Sequence, residues 1–336
     1  MDMGTKVAGY LAKIWLFLHP LPMRYLSVEF LCTVRSEAHF PLYKGSMLRG
    51  ALGNSLRHAV CMMQGRDCLD CMLSKTCIFP RLFTFAGAPE NSHAAPMVPP
   101  PFCIEPPQDG ICDFAQGDTF HFGLKLFSYA TDYLPYFIHA FKLAGQRGMG
   151  RGTAEGQGRL TLEDVRQEGI SVYDAANERL QQHEEQDLPL PRLGDAGAES
   201  ALTLELLTPL RFKQANRLAT ELDFGLLLRL ILRRLGSLQA LEGKDFRLPP
   251  ADFSALREAA SRMRTAASDV RWRDWRRYSG RQNTSMQLGG LTGRIRYAGP
   301  AAAFAEYLDF AVRAHLGKQT SFGLGAVAVT FGSADG

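Results

Sequence analysis

The sequence predicts an α+β chain built from two tandem copies of one βαββαβ unit. Three observations predict it. The chain has 336 residues, more than one ordinary core holds and enough for two. Its apolar residues switch repeatedly between alternation and helical spacing. The order of these segments in the first half recurs in the second, and each copy ends in a glycine-rich loop running into a strand.

The first copy opens at residues 26–35 (LSVEFLCTVR), whose alternation reads as a strand. A turn region, residues 36–45, leads into a helix over residues 46–63, with Leu48, Leu52, Leu56, Ala59 and Val60 as its apolar stripe. A cysteine-rich stretch follows, then a Pro-rich one over 96–107. Residues 119–129 (TFHFGLKLFSY) alternate as a strand, and Asp132 is placed to cap a helix over 133–144. LAGQRGMGRGTAEGQGRLTLEDV then carries glycine loop into strand. The second copy has a strand over 202–212, an apolar helix over 224–241, a strand pair over 271–278 and 288–297, and a helix over 301–316. It closes with GKQTSFGLGAVAVTF. This order is that of the ferredoxin-like unit, which the RRM shares. The expected divisions are an N-terminal extension (1–22), a first domain with a four-cysteine insertion (23–177), an acidic linker (178–200) and a second domain with a closing glycine loop (201–336).

Hydrophobic residues make up 46% of the chain, which excludes a disordered polypeptide. No apolar run is long enough for a membrane span. Residues 9–18 faintly resemble a signal peptide, but Lys13 interrupts the run and no small-residue cleavage site follows, so a cytoplasmic protein is expected. The net charge of +4 names no partner by itself. Its distribution says more: from Arg257 to Arg281 there are eight basic residues against Glu258, Asp269 and Asp274. Alone this could be a solvated charged face, but it is also the form of a nucleic-acid footprint. In RWRDWRRY, alternation puts Arg271, Arg273 and Arg277 on one strand face, with Arg281 beyond. Trp272 and Tyr278 are the better candidates to meet the core.

The glycine loops contain Gly145, Gly148, Gly150, Gly152, Gly156 and Gly158 in the first copy, and Gly317, Gly323 and Gly325 in the second. Both follow a helix and precede a strand, the reverse of a dinucleotide-binding fingerprint. Gly317-Lys318-Gln319 lacks the spacing of a Walker loop. A single loop of this kind reads as a helix-to-strand turn. Two in matching positions, carrying Arg147, Arg151 and Lys318, point to backbone that approaches phosphate.

Four segments give the chain a family resemblance: FPLYKGSMLRGALGNSLRHAVC (40–61), CIFPRLF (77–83), RYSGRQNTSMQLGGLTGRIRY (277–297) and HLGKQTSFGLGAVAV (315–329). The chain resembles the CRISPR-associated endoribonucleases of the RAMP superfamily that process precursor CRISPR RNA. The resemblance implies binding of CRISPR repeat RNA, with subunits of a CRISPR effector complex as further partners. It also implies cleavage without a catalytic metal, in which the ribose 2′-OH attacks the adjacent phosphate and leaves 2′,3′-cyclic phosphate and 5′-OH ends. Such chemistry needs a base near the 2′-OH and a cation or donor near the phosphate. The sequence shows no acidic cluster of the two-metal type, which agrees. The resemblance further implies catalytic residues around the first helix. His58 lies off the Leu48–Leu52–Leu56 stripe, on a ridge with Gly50 and Asn54, and is ranked slightly ahead of His39. Tyr43 and Lys44 would support either, and His315 is the alternative. Two other classes remain: a non-cutting RAMP subunit that holds CRISPR RNA, and a housekeeping RRM protein. No segment matches the aromatic RNP pattern that the last requires.

Cys61, Cys68, Cys71 and Cys77 follow the spacing C-x6-C-x2-C-x5-C. The central C-x2-C suits a structural zinc, with the outer pair completing four ligands. An iron–sulfur cluster also takes four thiolates, and buried free thiols are the third reading. Cys32, Cys103 and Cys112 read as packing residues.

Overall fold

The computed structural model describes residues 22–68, 70–83, 99–181, 183–214, 217–218, 220–244, 246–274, 276–279, 284–287 and 289–333. All but the last residue of the expected N-terminal extension lies outside them, as does Arg281.

The first domain runs β1 (Met23–Val34), α1 (Gly45–Val60), a short α2 (Ile78–Phe83), β2 (Phe102–Glu105), β3 (Thr119–Phe127), α3 (Leu134–Arg147) and β4 (Leu160–Gln167). Its sheet has the order β2-β3-β1-β4, with every neighbouring pair antiparallel. The second runs β5 (Ser200–Leu210), α4 (Phe224–Gln239), α5 (Pro250–Ser261), β6 (Arg264–Ser268), β7 (Arg271–Arg273), β8 (Gly290–Gly299), α6 (Ala305–Ala314) and β9 (Val327–Gly332). Here the order is β6-β8-β5-β9, with β7 continuing the edge along β8. In both sheets the first long strand of the unit sits between the third and the fourth. That shared order makes both domains ferredoxin-like.

Period-2 patterning accounts for β1: Leu26, Val28, Phe30, Cys32 and Val34 are buried, while Glu29 is exposed. Phe30 stacks on Phe122 at 5.0 Å and meets the edge of Phe141 of α3 at 5.0 Å, which fixes sheet against helix. Truncating such a ring to alanine typically costs about 3–5 kcal/mol. α1 buries Leu48, Leu52 and Leu56, as its helical spacing requires. In α4, the Asp223 carboxylate caps the N-terminus by accepting the Leu226 N–H at 2.7 Å.

Four details differ from the sequence reading. β2 lies inside the Pro-rich stretch, and it tolerates Pro101 and Pro106 beside it because it is an edge strand. α5 is a surface helix that buries only Leu256 and Ala259, too thin a stripe to read. The strand expected over 271–278 is broken: β7 ends at Arg273, and Arg276–Ser279 pairs with Thr284–Gln287 in a separate hairpin. Asp132 caps nothing; α3 has Tyr133 at its N-cap, and both Asp132 oxygens take the Arg24 guanidinium at 2.6 and 2.9 Å. That bidentate pair satisfies the carboxylate better than a single N–H would.

The second core crosses the domain boundary. Met23, Tyr25, Cys103, Phe127 and Leu188 pack with Leu202, Leu227 and Phe310. Residues 178–200, expected as a linker, hold to both sides: Gln186–Leu188 pairs with the start of β1, and Leu190 and Leu193 pack on the second core. Among the described residues no helix is long and apolar enough to cross a membrane.

Candidate active site and nucleic-acid interface

The segment entering α1 lies against both glycine loops. From the first loop, the Arg151 N–H donates to the His39 carbonyl at 3.1 Å, and the Gly158 N–H donates to Glu37 at 2.8 Å. Gly150 (φ +90°) makes this approach possible, since a Cβ there would stand 2.5 Å from the His39 carbonyl oxygen. The two-residue strand Ala38–His39 pairs with Asp113–Phe114, and this puts Asp113 beside the imidazole. His39 Nδ1 lies 2.7 Å from Asp113 Oδ1, with the ring half-exposed at 46%. A carboxylate at Nδ1 fixes that nitrogen as the donor and leaves Nε2 for another molecule. Arg147 and Arg151 are exposed on the same loop, and their charged ends pair with no acid among the described residues.

The second loop closes on the other end of the segment. Tyr43 OH donates to the Phe322 carbonyl at 2.6 Å. Gly323 (φ +85°) lies where a Cβ would be 2.5 Å from the Ile104 carbonyl of β2, so the loop packs on the first domain. Gly317 and Gly325 close in the same way on the carbonyls of Arg211 and Leu316. Protein packing thus accounts for the glycines expected to admit phosphate. Arg49 of α1 lies 4.9 Å from the Phe83 ring and 4.9 Å from the Phe322 ring, which ties α1, α2 and the loop together. Lys318 alone of the expected charged loop residues here stays exposed.

A buried polar knot anchors this loop. Glu105 Oε1 lies 2.7 Å from Lys125 Nζ and 3.2 Å from His315 Nε2. Lys125 also donates to the Val312 carbonyl at 3.2 Å, and Arg234 Nε donates to the Ala314 carbonyl at 2.9 Å. Two cations therefore meet the C-terminal, electronegative end of α6. Burial alone would push Glu105 up, but His315 and Lys125 outweigh it and hold the carboxyl at about 2. Burial pushes the His315 imidazole down, against the opposing pull of Glu105. His315 is therefore part of the domain junction and is closed to substrate.

The remaining expected residues fall in separate places. Burial pushes the Tyr43 phenol well above its ordinary range, and its hydroxyl is committed to Phe322. Lys44 is fully buried, with Nζ 3.4 Å from Asp109 Oδ1. His58 is exposed in the last turn of α1 and makes no hydrogen bond or ion pair among the described residues. On its ridge, a Cβ at Gly50 would meet nothing within 4 Å. Arg271 and Arg273 are exposed on β7, while Trp272 packs partly buried on the second core, as the alternation predicts. Arg277 lies in the hairpin strand Arg276–Ser279. The outer face of β8 adds Arg294 and Arg296, of which Arg294 pairs with Glu205 at 3.0 Å. A cavity of about 380 Å³ over the first sheet is lined by Glu29, Glu105 and Glu168 together with His121 and Arg166.

Cys61, Cys68, Cys71 and Cys77 line one small cavity between α1 and α2. Among the described residues no three His, Cys, Asp or Glu side chains already stand grouped to hold a metal ion. Sequence reasoning missed Asp113 and Arg49. Nothing local marks either: Asp113 is 74 residues from His39, and the arginine's rings come from two other elements.

The family model of the CRISPR-associated endoribonuclease Cas6 matches residues 204–327, and a model described as an N-terminal domain matches residues 21–185. No curated protein matches the chain. A partial Cas6-RT-Cas1–Cas2 complex is similar at a TM-score of 0.54 and 15% identity, over 94% of this chain and 47% of that one. The full Cas6-RT-Cas1–Cas2 complex gives the same TM-score and identity over 29% of its chain, so this chain spans less than half of either. A Thermus thermophilus Cas6 product complex is similar at a TM-score of 0.53 and 16% identity, over 92% of this chain and 100% of that one. At these identities the structural likeness is one of fold. The chain is thus similar to the CRISPR-associated endoribonuclease Cas6 family over residues 204–327, and it shares the fold of Cas6 structures over nearly its whole length.

Proposed function

We propose that this protein cuts CRISPR repeat RNA through the ribose 2′-OH, with His39 as the general base. The supporting observation is the His39–Asp113 pair at 2.7 Å, with Nε2 left open beside the basic first glycine loop. The order of the two histidine candidates therefore reverses. Among the described residues His58 has no orienting acid, whereas His39 has one and has a cationic loop bonded to its own backbone. In the reaction, Nε2 takes the 2′-OH proton as O2′ attacks the adjacent phosphorus. The P–O5′ bond breaks, and the imidazolium or a water supplies a proton to the departing O5′. Arg151, whose own N–H bonds the His39 carbonyl, supplies charge to the phosphorane. Neither Tyr43 nor Lys44 has a free polar end for this work.

Repeat RNA would extend from this site over Lys318 and the arginines of β7, which give phosphates a cationic path. Other Cas proteins would be the protein partners. The test is incubation with the cognate repeat RNA in EDTA, with the fold followed by circular dichroism and the ends analysed. Products with 2′,3′-cyclic phosphate and 5′-OH are expected. Binding without any cleavage by folded protein would favour a non-cutting RNA-holding subunit instead.

A further inference from the structure

We propose that Cys61, Cys68, Cys71 and Cys77 bind one structural zinc ion, which staples the C-terminal end of α1 to α2. The four thiols come from a segment with little else to order it. Between α1 and α2 the described backbone makes only turns, such as Ser74 N–H to Cys71 at 2.9 Å and Cys77 N–H to Leu73 at 2.8 Å. A segment of this length without regular structure usually needs a covalent or metal staple to hold one shape. Met62 and Met72 do not supply a core, being 83% and 81% exposed. The cysteines instead turn inward and line one cavity of about 20 Å³.

That cavity holds about one water-sized body. A single ion fits the space. The thiols surround the cavity without yet meeting at a point, and ligation would draw them in. Apart from a cation among them, clustered thiolates repel, and zinc reverses that balance by binding all four deprotonated.

The position of the staple matters for the site. Cys61 is the C-cap of α1 and Cys77 directly precedes α2. Phe83 at the end of α2 packs 3.1 Å from the Cβ position of Gly53 and under Arg49, which also lies over Phe322. Fixing α2 on α1 thus holds the surface that receives the second glycine loop.

The experiment is elemental analysis of the full chain purified without chelators under reducing conditions. Close to one zinc per chain is expected. Cobalt substitution should give the tetrahedral and thiolate-to-cobalt bands of a four-sulfur site. Cys68→Ser and Cys71→Ser should weaken zinc at least tenfold in competition with a chromogenic chelator, while Cys112→Ser, outside the cluster, keeps it. If the serine variants fail to fold, the wild-type chain decides: chelation should lower its melting temperature, and added zinc should restore it. Iron with sulfide in place of zinc, or neither metal bound and no uptake of added zinc, would overturn the proposal. Zinc retained by a Cys68→Ser/Cys71→Ser double variant would overturn it too.

Discussion

Replacing His39 by alanine removes the proposed base while leaving its neighbours a backbone contact to hold. The Arg151 N–H bonds to the His39 carbonyl, not to its ring, so the first glycine loop keeps its seat. The loss should therefore appear in the chemical step. General-base catalysis contributes on the order of 10²–10⁴-fold. A loss of at least about 10²-fold in the single-turnover rate is expected, which is about 2.7 kcal/mol of transition-state stabilisation. Asp113→Asn is the graded companion. The pair is open to water, with side chains 46% and 79% exposed, so its charge is screened. About 1 kcal/mol at most is available from such a contact, or roughly fivefold in rate. His58→Ala should cut at the wild-type rate. RNA affinity, measured separately by titration, should stay within about twofold for all three on the same grounds of exposure. A His39→Ala variant that binds normally and cuts at the wild-type rate would refute the reasoning. The same deficit in His58→Ala alone would move the base to the last turn of α1.

Arg271→Ala and Arg273→Ala should each weaken repeat-RNA binding and flatten its salt dependence by about one unit or slightly less, read from titrations across ionic strength. Gly323→Val should destabilise the fold by more than about 1 kcal/mol, seen as a lower melting temperature, because its φ of +85° and the Ile104 carbonyl leave no room for a side chain. Stability should fall on acidification in two stages. The unfolded chain protonates His315 first as pH drops through its ordinary 6.5, and Glu105, held at about 2 against an ordinary 4.5, then loses its contribution between those values. Urea denaturation across pH measures both, and Glu105→Gln should remove the lower stage.

Much of the fold was legible because burial follows period. β1, α1 and β3 each carry a clean apolar face, and the repeated order of elements carried the topology with them. β2 was hidden by its prolines and α5 by its thin apolar stripe. The catalytic candidates were legible as residue types only. His39 and His58 look alike along the chain, and what separates them is Asp113, which arrives through a two-residue pairing no local pattern announces. The glycine loops were found by composition, yet their reason differs from the one expected. Gly150 and Gly323 face protein carbonyls at His39 and Ile104, contacts that exist only once the domains are packed.

The central claim is attack by the ribose 2′-OH, and a repeat RNA carrying a single 2′-deoxy nucleotide at the cut site tests it most directly. The wild-type protein should bind this RNA as it binds the all-ribose repeat, because one hydroxyl adds little to a phosphate-dominated interface. It should leave the strand uncut over a time in which the all-ribose repeat is fully converted to 2′,3′-cyclic phosphate and 5′-OH products. Cleavage of the deoxy substrate at the same bond, at a comparable rate, would contradict the account.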